Sequence, residues 1–235
     1  NPVKILFGKG QIAKLGQEVP RNQKILLLYG GGSIFKNGVY DQVISALHGF
    51  SLSEFGGIEA NPTYETCMEA VEKVKQEKAE FILAVGGGSV LDAAKFIAAA
   101  VFYEGADPWD ILTGRNSYFV EKVVPIGAVL TLPATGSEMN GNSVITNEAT
   151  QQKYSVGSKL LNPKLSIINP ERMMSVSKEY LVYSASDIIA HAIETYFTAA
   201  DHPRFQSRLV ESIVKSVIEL TDRLIEHPED YDARA

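Results

Sequence analysis

The sequence predicts an α/β domain with a mainly parallel sheet, followed by a helical segment. Three apolar runs are typical of strands buried on both faces: KILLLY (24–29), FILAVG (81–86) and VVPIGAVLTLP (123–133). Helical patterns alternate with these runs over residues 38–48, 64–78 and 89–103. This alternation of strands and helices favours a parallel sheet with crossover helices.

The helix over 64–78 has the clearest amphipathic pattern. Ala70, Val71 and Val74 fall on one face, whereas charged residues such as Glu72 and Lys73 lie elsewhere. One apolar stripe on a polar helix predicts packing against the sheet.

The stretch 140–169 has a different pattern, because NSVIT, KYSVGS and KLSIINP are short β-like runs separated by turn residues. They predict a hairpin and a final strand. From about Ser175 the pattern is helical: residues 176–199 form one long helix or two shorter ones, and Pro203 suits the start of another.

A domain boundary is expected near residues 170–176. We assign residues 1–172 to an α/β domain and 173–235 to the start of a helical domain; the motifs described below predict nucleotide binding for the first and metal binding for the second. One or two long helices make a poor core, so this second domain is expected to be incomplete.

Composition limits the possible partners. A net charge of −6 and a pI near 5.3 argue against nucleic-acid binding. No apolar run approaches the ~20 residues that cross a bilayer. Cys67 is the only cysteine, which fits a reducing compartment. We therefore expect a cytoplasmic protein that binds neither nucleic acid nor membrane.

Two of the predicted strands end in three glycines and a serine, at Gly30–Ser33 and Gly86–Ser89. Glycine lets a backbone approach a ligand closely, and the helix that follows offers free N–H groups to a phosphate. Neither turn is a GxGxxG or GxxxxGK[ST] motif. Tight turns without a ligand are the alternative. Two such turns, with Ser89 expected to cap a helix, favour phosphate binding.

The first turn also indicates which nucleotide binds. A carboxylate after this strand would grip a ribose 2′-hydroxyl and repel a 2′-phosphate. Gly30–Ser33 contains no acid and offers a serine donor, which favours NADP over NAD. The alternative is that Ser33 only caps the following turn. The polar segment 131–140 follows another buried strand and could line the same cleft, although alone it is a weak signal.

Asp187 and His191 are four residues apart and would share one helix face. Oxygen and imidazole ligands suit divalent Fe, Zn, Mn or Ni, but two ligands are too few for tight binding. A helical ion pair is the alternative. The apolar residues 188–190 predict a buried helix, in which both side chains would need partners. The other histidines are expected at the surface: His48, His202 and His227.

Together these motifs resemble the iron-containing (group III) alcohol dehydrogenase family, close to its butanol dehydrogenase and aldehyde reductase branch. The resemblance spans the chain through NPVKILFGKG, GGGSIFKNGVYDQV, EANPTYET, FILAVGGGSVLDAAKFIA, TLPATGSEMN and SDIIAHAIETYF. It implies a dehydroquinate-synthase-like, Rossmann-type α/β domain followed by an all-helical domain, with the active site in the cleft between them. A homodimer is also expected.

The resemblance implies a role for each matching position. Gly31, Gly32 and Ser33 would face the adenosine ribose and its 2′-phosphate, with Asn61 beside the nucleotide. Gly87, Gly88 and Ser89 would hold the pyrophosphate, and Asp92, the candidate catalytic residue, would lie near the nicotinamide. Thr131 and Leu132 would border the adenine and phosphate side, Lys153 would contact the cofactor ribose, and Asp187 and His191 would be metal ligands.

The family completes its metal site with two histidines well downstream. This chain ends at Ala235, so we expect it to be part of a longer protein, one that also carries residues before NPVKILFG. The implied reaction interconverts a primary alcohol and its aldehyde with NADP(H) and a divalent metal: iron, or else zinc or nickel. The alternatives are a nucleotide-binding fragment without catalysis, glycerol oxidation, or a dehydroquinate-synthase-like cyclisation on the same fold.

Overall fold

The computed structural model describes residues 1–114, 120–198, 200–201 and 203–235, so His202 lies outside the described residues. The strands are β1 (Lys4–Phe7), β2 (Ile25–Tyr29), β3 (Leu52–Phe55), β4 (Phe81–Gly86), β5 (Ile126–Leu130), β6 (Asn142–Asn147), β7 (Gln152–Gly157) and β8 (Leu165–Ile168). The helices are α1 (Leu15–Glu18), α2 (Ser33–Lys36), α3 (Val39–Ala46), α4 (Tyr64–Glu77), α5 (Gly88–Ala100), α6 (Asp110–Thr113), α7 (Lys178–Thr198), α8 (Arg204–Glu226) and α9 (Tyr231–Arg234).

A parallel six-stranded sheet forms the centre of the first part of the chain, in the order β1–β8–β5–β4–β2–β3. Strands β4 and β5 are buried along their whole length, and β2 is buried except at Tyr29. Such strands read as continuous apolar runs because both faces of the sheet are covered. The predicted α/β fold class, with a helical segment after it, is confirmed.

Helices cover the sheet on both faces. Helices α1 and α3 share one core cluster with Ile25 and Leu27 of β2 and with Leu83 and Val85 of β4. Since successive strand residues point to opposite faces, the residues between these pack on the other side, where α5 contacts β2, β4 and β5.

Helix α4 forms as its pattern predicts. Its buried residues are Cys67, Ala70, Val71 and Val74. Thr63 is the N-cap of this helix, and its hydroxyl accepts a hydrogen bond from the Thr66 amide. This N-cap satisfies one of the amides that have no partner within the helix.

Strands β6 and β7 form an antiparallel hairpin, and β8 joins the main sheet between β1 and β5. The predicted hairpin and final strand are therefore both present. Strands β1 and β3, which the sequence pattern did not predict, lie at the two edges of the sheet and span four residues each. Both strands are half exposed, and KILF and LSEF contain at most three consecutive apolar residues.

The chain divides into two compact units. The first comprises Asn1–Thr131 and Gly136–Asn169, and the second comprises Leu132–Thr135 and Pro170–Ala235. The predicted domain limits at 172 and 173 stay a prediction. In the second unit, α7 packs along α8. In the same unit, the Arg234 guanidinium donates to the Met173 carbonyl oxygen at 2.9 Å.

Helix α7 is less buried than its apolar sequence predicts, so that expectation was wrong. Among its described residues only Ser184 and Ala185 are buried, while Tyr180 and Tyr183 are exposed. Long contact with α8 covers one stripe of this 21-residue helix and leaves the remaining faces open. No helix in the described part of the chain has both the length and the apolar character needed to cross a bilayer.

A substitution at Gly16 tests how closely α1 packs against the end of α3. A Cβ added at Gly16 would lie 2.3 Å from the Ala46 carbonyl oxygen, which is backbone and cannot rotate away. We expect Gly16→Ala to lower the free energy of unfolding by about 1–3 kcal/mol in urea titrations.

The matched control is Gly31→Ala. No atom lies within 4 Å of a Cβ added at Gly31, and its φ is not positive. Its free energy of unfolding should therefore stay within about 0.5 kcal/mol of the original chain. Equal stabilities for the two variants would contradict the packing described for α1.

Candidate functional site

The two glycine turns lie side by side. Strands β2 and β4 are parallel neighbours, paired from Ile25 with Phe81 to Tyr29 with Val85. Their carboxyl ends therefore meet at one edge of the sheet. The connection after β2 runs over the face covered by α3, and the connection after β4 runs into α5 on the opposite face. Neighbouring strands whose connections leave in opposite directions create the crevice where open α/β sheets bind ligands.

The first turn brings exposed backbone to this edge. Gly32 adopts φ +97°, a left-handed conformation that favours glycine, and caps α2. Ser33 is the first residue of α2 and is exposed, whereas Gly32 occupies the N-cap position. The alternative role of Ser33 as a helix cap is therefore not observed. Gly31 faces open space.

The second turn is more enclosed. Gly86 is the buried last residue of β4, and a Cβ there would lie 2.5 Å from a methyl group of Val90. Helix α5 is capped by Gly87. The expectation that Ser89 caps this helix was wrong, because Ser89 lies inside the first turn. The first amides of a helix have no intrahelical partner and carry its positive dipole end, so this turn can receive an anion.

Three predicted cofactor residues from separate segments meet beside the second turn. The Ser89 hydroxyl accepts a hydrogen bond from the Asn61 amide at 3.3 Å. The Lys153 ammonium, which comes from β7, donates to the Asn61 side-chain oxygen at 2.8 Å. Asn61 itself has a left-handed φ of 58°. The arrangement places an exposed positive charge near the amino end of α5.

Asp92, the candidate catalytic residue, lies one turn further along α5 and is half-buried. One carboxylate oxygen accepts from the Ser137 hydroxyl at 2.6 Å, and the other accepts from the Val144 amide at 3.1 Å. Burial raises the pKa of Asp92, and these hydrogen bonds, together with the charge of Lys95, act in the opposite direction.

Lys95 is a site residue that the sequence pattern alone did not predict. It is fully buried, and its ammonium donates to the Ser137 hydroxyl at 2.7 Å, the Asn140 side-chain oxygen at 3.1 Å and the Asn142 carbonyl oxygen at 2.7 Å. Burial lowers the pKa of Lys95 to about 8, opposed by the charge of Asp92. A single lysine within the apolar run DAAKFIAAA was the signal, since buried lysines need partners.

The remaining cofactor residues divide between the two units. The buried Thr131 donates its amide to the Gly86 carbonyl oxygen at 3.0 Å, so it borders the second turn. Leu132 is half-buried and belongs to the second unit.

Asp187 and His191 lie on α7 in the second unit. The imidazole Nε2 is 3.6 Å from an Asp187 carboxylate oxygen, and the imidazole Nδ1 is 3.9 Å from a Glu194 oxygen. The Asp187 and His191 side chains are 42% and 55% exposed, so the predicted burial of this pair was wrong. Within the described ranges, no group of three His, Cys, Asp or Glu side chains could hold a metal ion.

Comparison with known proteins extends these observations. The profile of the family described as iron-containing alcohol dehydrogenase matches residues 2–170. The NADPH-dependent aldehyde reductase YqhD of Escherichia coli is 44% identical over 236 residues, which cover 100% of this chain and 60% of the relative. A probable NADH-dependent butanol dehydrogenase 1 of Bacillus subtilis is 44% identical over 237 residues, with the same two coverages.

A solved structure is similar over the whole chain. The NADH-dependent butanol dehydrogenase A of Thermotoga maritima superimposes with a TM-score of 0.95 at 50% identity, covering 100% of this chain and 59% of the other. The present chain thus spans about three fifths of the length of the relatives it matches.

Because Asp187 is exposed, we expect its ion pair with His191 to contribute little to the free energy of unfolding. Exposed ion pairs contribute ~0–1 kcal/mol, so Asp187→Asn should change the free energy of unfolding by less than about 0.5 kcal/mol. The matched change Asp92→Asn should cost at least about 1 kcal/mol, because it weakens two hydrogen bonds and removes the charge that offsets buried Lys95. Urea titration measures both. Equal losses would show that Asp187 has a structural role.

Proposed function

Because the chain belongs to the iron-containing alcohol dehydrogenase family, we propose that the protein interconverts primary alcohols and aldehydes with NADP(H) and a divalent metal. The observation that carries this proposal is the pair of glycine turns on neighbouring strand ends, with Asn61, Ser89 and Lys153 meeting beside the second turn. The names of two relatives, an aldehyde reductase and a butanol dehydrogenase, support short aldehydes and alcohols as substrates. A homodimer stays a prediction.

The chain's own residues would hold the nucleotide by its charged groups. The first amides of α5, at Gly88 and Ser89, would donate to the pyrophosphate, and the exposed Lys153 ammonium would contact the ribose. Gly31 and Gly32 leave room for the adenosine ribose to approach the backbone. Thr131 and Leu132 would border the adenine and phosphate side. When bound, the nicotinamide supplies or accepts the hydride.

The preference for NADP rests on the first turn. Gly30–Ser33 contains no carboxylate, and the exposed Ser33 hydroxyl could donate to a 2′-phosphate. The acid on the neighbouring edge strand, Glu54, already accepts hydrogen bonds from Tyr40 at 2.8 Å and Tyr29 at 3.3 Å. This contact raises the pKa of Tyr40 to about 12. The relatives are named for both NADPH and NADH, so their names do not decide the preference.

Asp187 and His191 fit a divalent metal as two of its ligands. A carboxylate oxygen and an imidazole nitrogen 3.6 Å apart on successive helical turns can turn toward one ion, and their exposure leaves both accessible. When bound, such a metal supplies Lewis acidity to the substrate oxygen. We propose iron, with zinc and nickel as the alternatives that the same donors accept.

The first test is turnover by the protein expressed from its complete gene. We expect butanal to be reduced with consumption of NADPH, activity to be lost on chelation, and Fe(II) or Zn(II) to restore it. Absorbance of the reduced nicotinamide follows the reaction. Tight NADPH binding with no turnover of any short aldehyde, in Fe(II), Zn(II) or Ni(II), would instead support a nucleotide-binding protein without catalysis.

The second test concerns Ser33. In Ser33→Asp a carboxylate would repel the 2′-phosphate and could accept a bond from a ribose hydroxyl, so the ratio of NADP to NAD affinity should fall by at least about tenfold. Ser33→Asn has the same size without the charge, and its ratio should fall less. Calorimetric titration of each variant with both nucleotides measures the ratios. An unchanged ratio in Ser33→Asp would refute the role given to the first turn.

A further inference from the structure

The hydrogen bonds that link Lys95 to Asp92 through Ser137 have a fixed direction. An ammonium can only donate, so the Ser137 oxygen accepts from Lys95 at 2.7 Å. The Ser137 hydroxyl proton is then available for Asp92, whose carboxylate oxygen lies 2.6 Å away. The second carboxylate oxygen accepts from the Val144 amide at 3.1 Å. Both oxygens of Asp92 are therefore acceptors.

This pattern selects one protonation state of Asp92. An ionised carboxylate accepts at both oxygens, whereas a protonated acid must use one of them to donate. Burial alone favours the protonated form, since it raises the pKa of Asp92. The Ser137 hydrogen bond and the Lys95 charge favour the ionised form.

The Lys95 ammonium is itself held in one place. Besides Ser137, it donates to the side-chain oxygen of Asn140 and to the carbonyl oxygen of Asn142, so each of its three protons has an acceptor. Ser143 fixes the helix on the same side, because its hydroxyl donates to the Asp92 carbonyl oxygen at 2.7 Å. The Lys95 ammonium cannot move away without breaking its three hydrogen bonds.

We propose that Lys95 is a positioning residue which, through Ser137, keeps the Asp92 carboxylate ionised and in one orientation, and thereby sets how strongly the site prefers the oxidised over the reduced nucleotide. This inference rests on the proposed function and on the expectation, implied by the family resemblance, that Asp92 lies near the nicotinamide. The oxidised ring carries a positive charge and the reduced ring is neutral. A fixed, half-buried carboxylate attracts only the former.

Other charged groups surround the pair. The charge of Glu138 acts on Lys95, and that of Lys153 acts on Asp92. Burial, and after it the charges of Glu59, Glu65 and Asp92, raise the pKa of the Cys67 thiol. Cys67 stays neutral in the neutral pH range, and Lys95 keeps its proton below about pH 8. As the pH falls below neutral, Asp92 is therefore the group of this network expected to change charge, because burial raises its pKa.

The experiment measures the dissociation constants of NADP+ and NADPH from neutral to acidic pH for the chain and three variants. Quenching of Trp109, the only tryptophan, is the signal. It packs against Tyr154, the neighbour of Lys153 in β7. In the original chain the preference for NADP+ should weaken as acid protonates Asp92. The midpoint is the pH at which half of this preference is lost. In Lys95→Met the midpoint should move up by about one pH unit, because the nearby positive charge is lost.

Two serine variants separate positioning from general loss of structure. Ser137→Ala removes the bond to the carboxylate and should also raise the midpoint. Ser143→Ala removes a bond to the backbone of the same residue and should leave the midpoint unchanged. If Lys95→Met does not fold, the comparison of these two serine variants decides the question.

Two results would overturn the inference. If both nucleotides bind but the midpoint is the same in all variants, Lys95 has only a structural role and the proposed function stands. If neither nucleotide binds the original chain or any variant, the proposed function fails and the inference fails with it.

Discussion

The pairing of β2 with β4 is the constraint on which the rest of the site depends. Both strands are parallel and deeply buried, and their register brings the two glycine turns to one edge of the sheet. Because α3 and α5 leave on opposite faces, neither helix covers that edge. A shift of this register would separate Gly31 and Gly32 from the amino end of α5, and no single side chain could restore the arrangement.

The polar network beneath this edge solves a second physical problem. Helix α5 is apolar and fully packed, yet it carries Asp92 and Lys95. Burying either charge alone costs several kcal/mol. Ser137, Asn140 and the backbone of β6 satisfy both groups, and in doing so they tie the segment after β5 to the helix. The same bonds that offset the desolvation of Lys95 also fix the charge and orientation of Asp92.

The sequence predicted most of the fold because its signals are local. Continuous apolar runs gave β2, β4 and β5, and helical periodicity gave α4, α5 and α8 within a few residues. The edge strands β1 and β3 escaped detection because half-exposed strands lack that signal. Ser89 was wrongly expected to cap α5, since the GGGS pattern does not reveal which residue ends the strand. Lys95 was missed because its partners lie more than 40 residues away in sequence. The burial of α7 depends on which other elements pack against it, and the sequence of α7 itself does not carry that information.

The central claim is that the paired glycine turns bind the phosphates of NADP(H). Backbone amide chemical shifts of an isotopically labelled chain, titrated with NADPH, test it most directly. The account predicts that the largest shifts fall on Gly31 and Gly32 of the first turn and on Gly87, Gly88 and Ser89 of the second, and saturate together. Saturable binding that leaves the amides of both turns unshifted would contradict it.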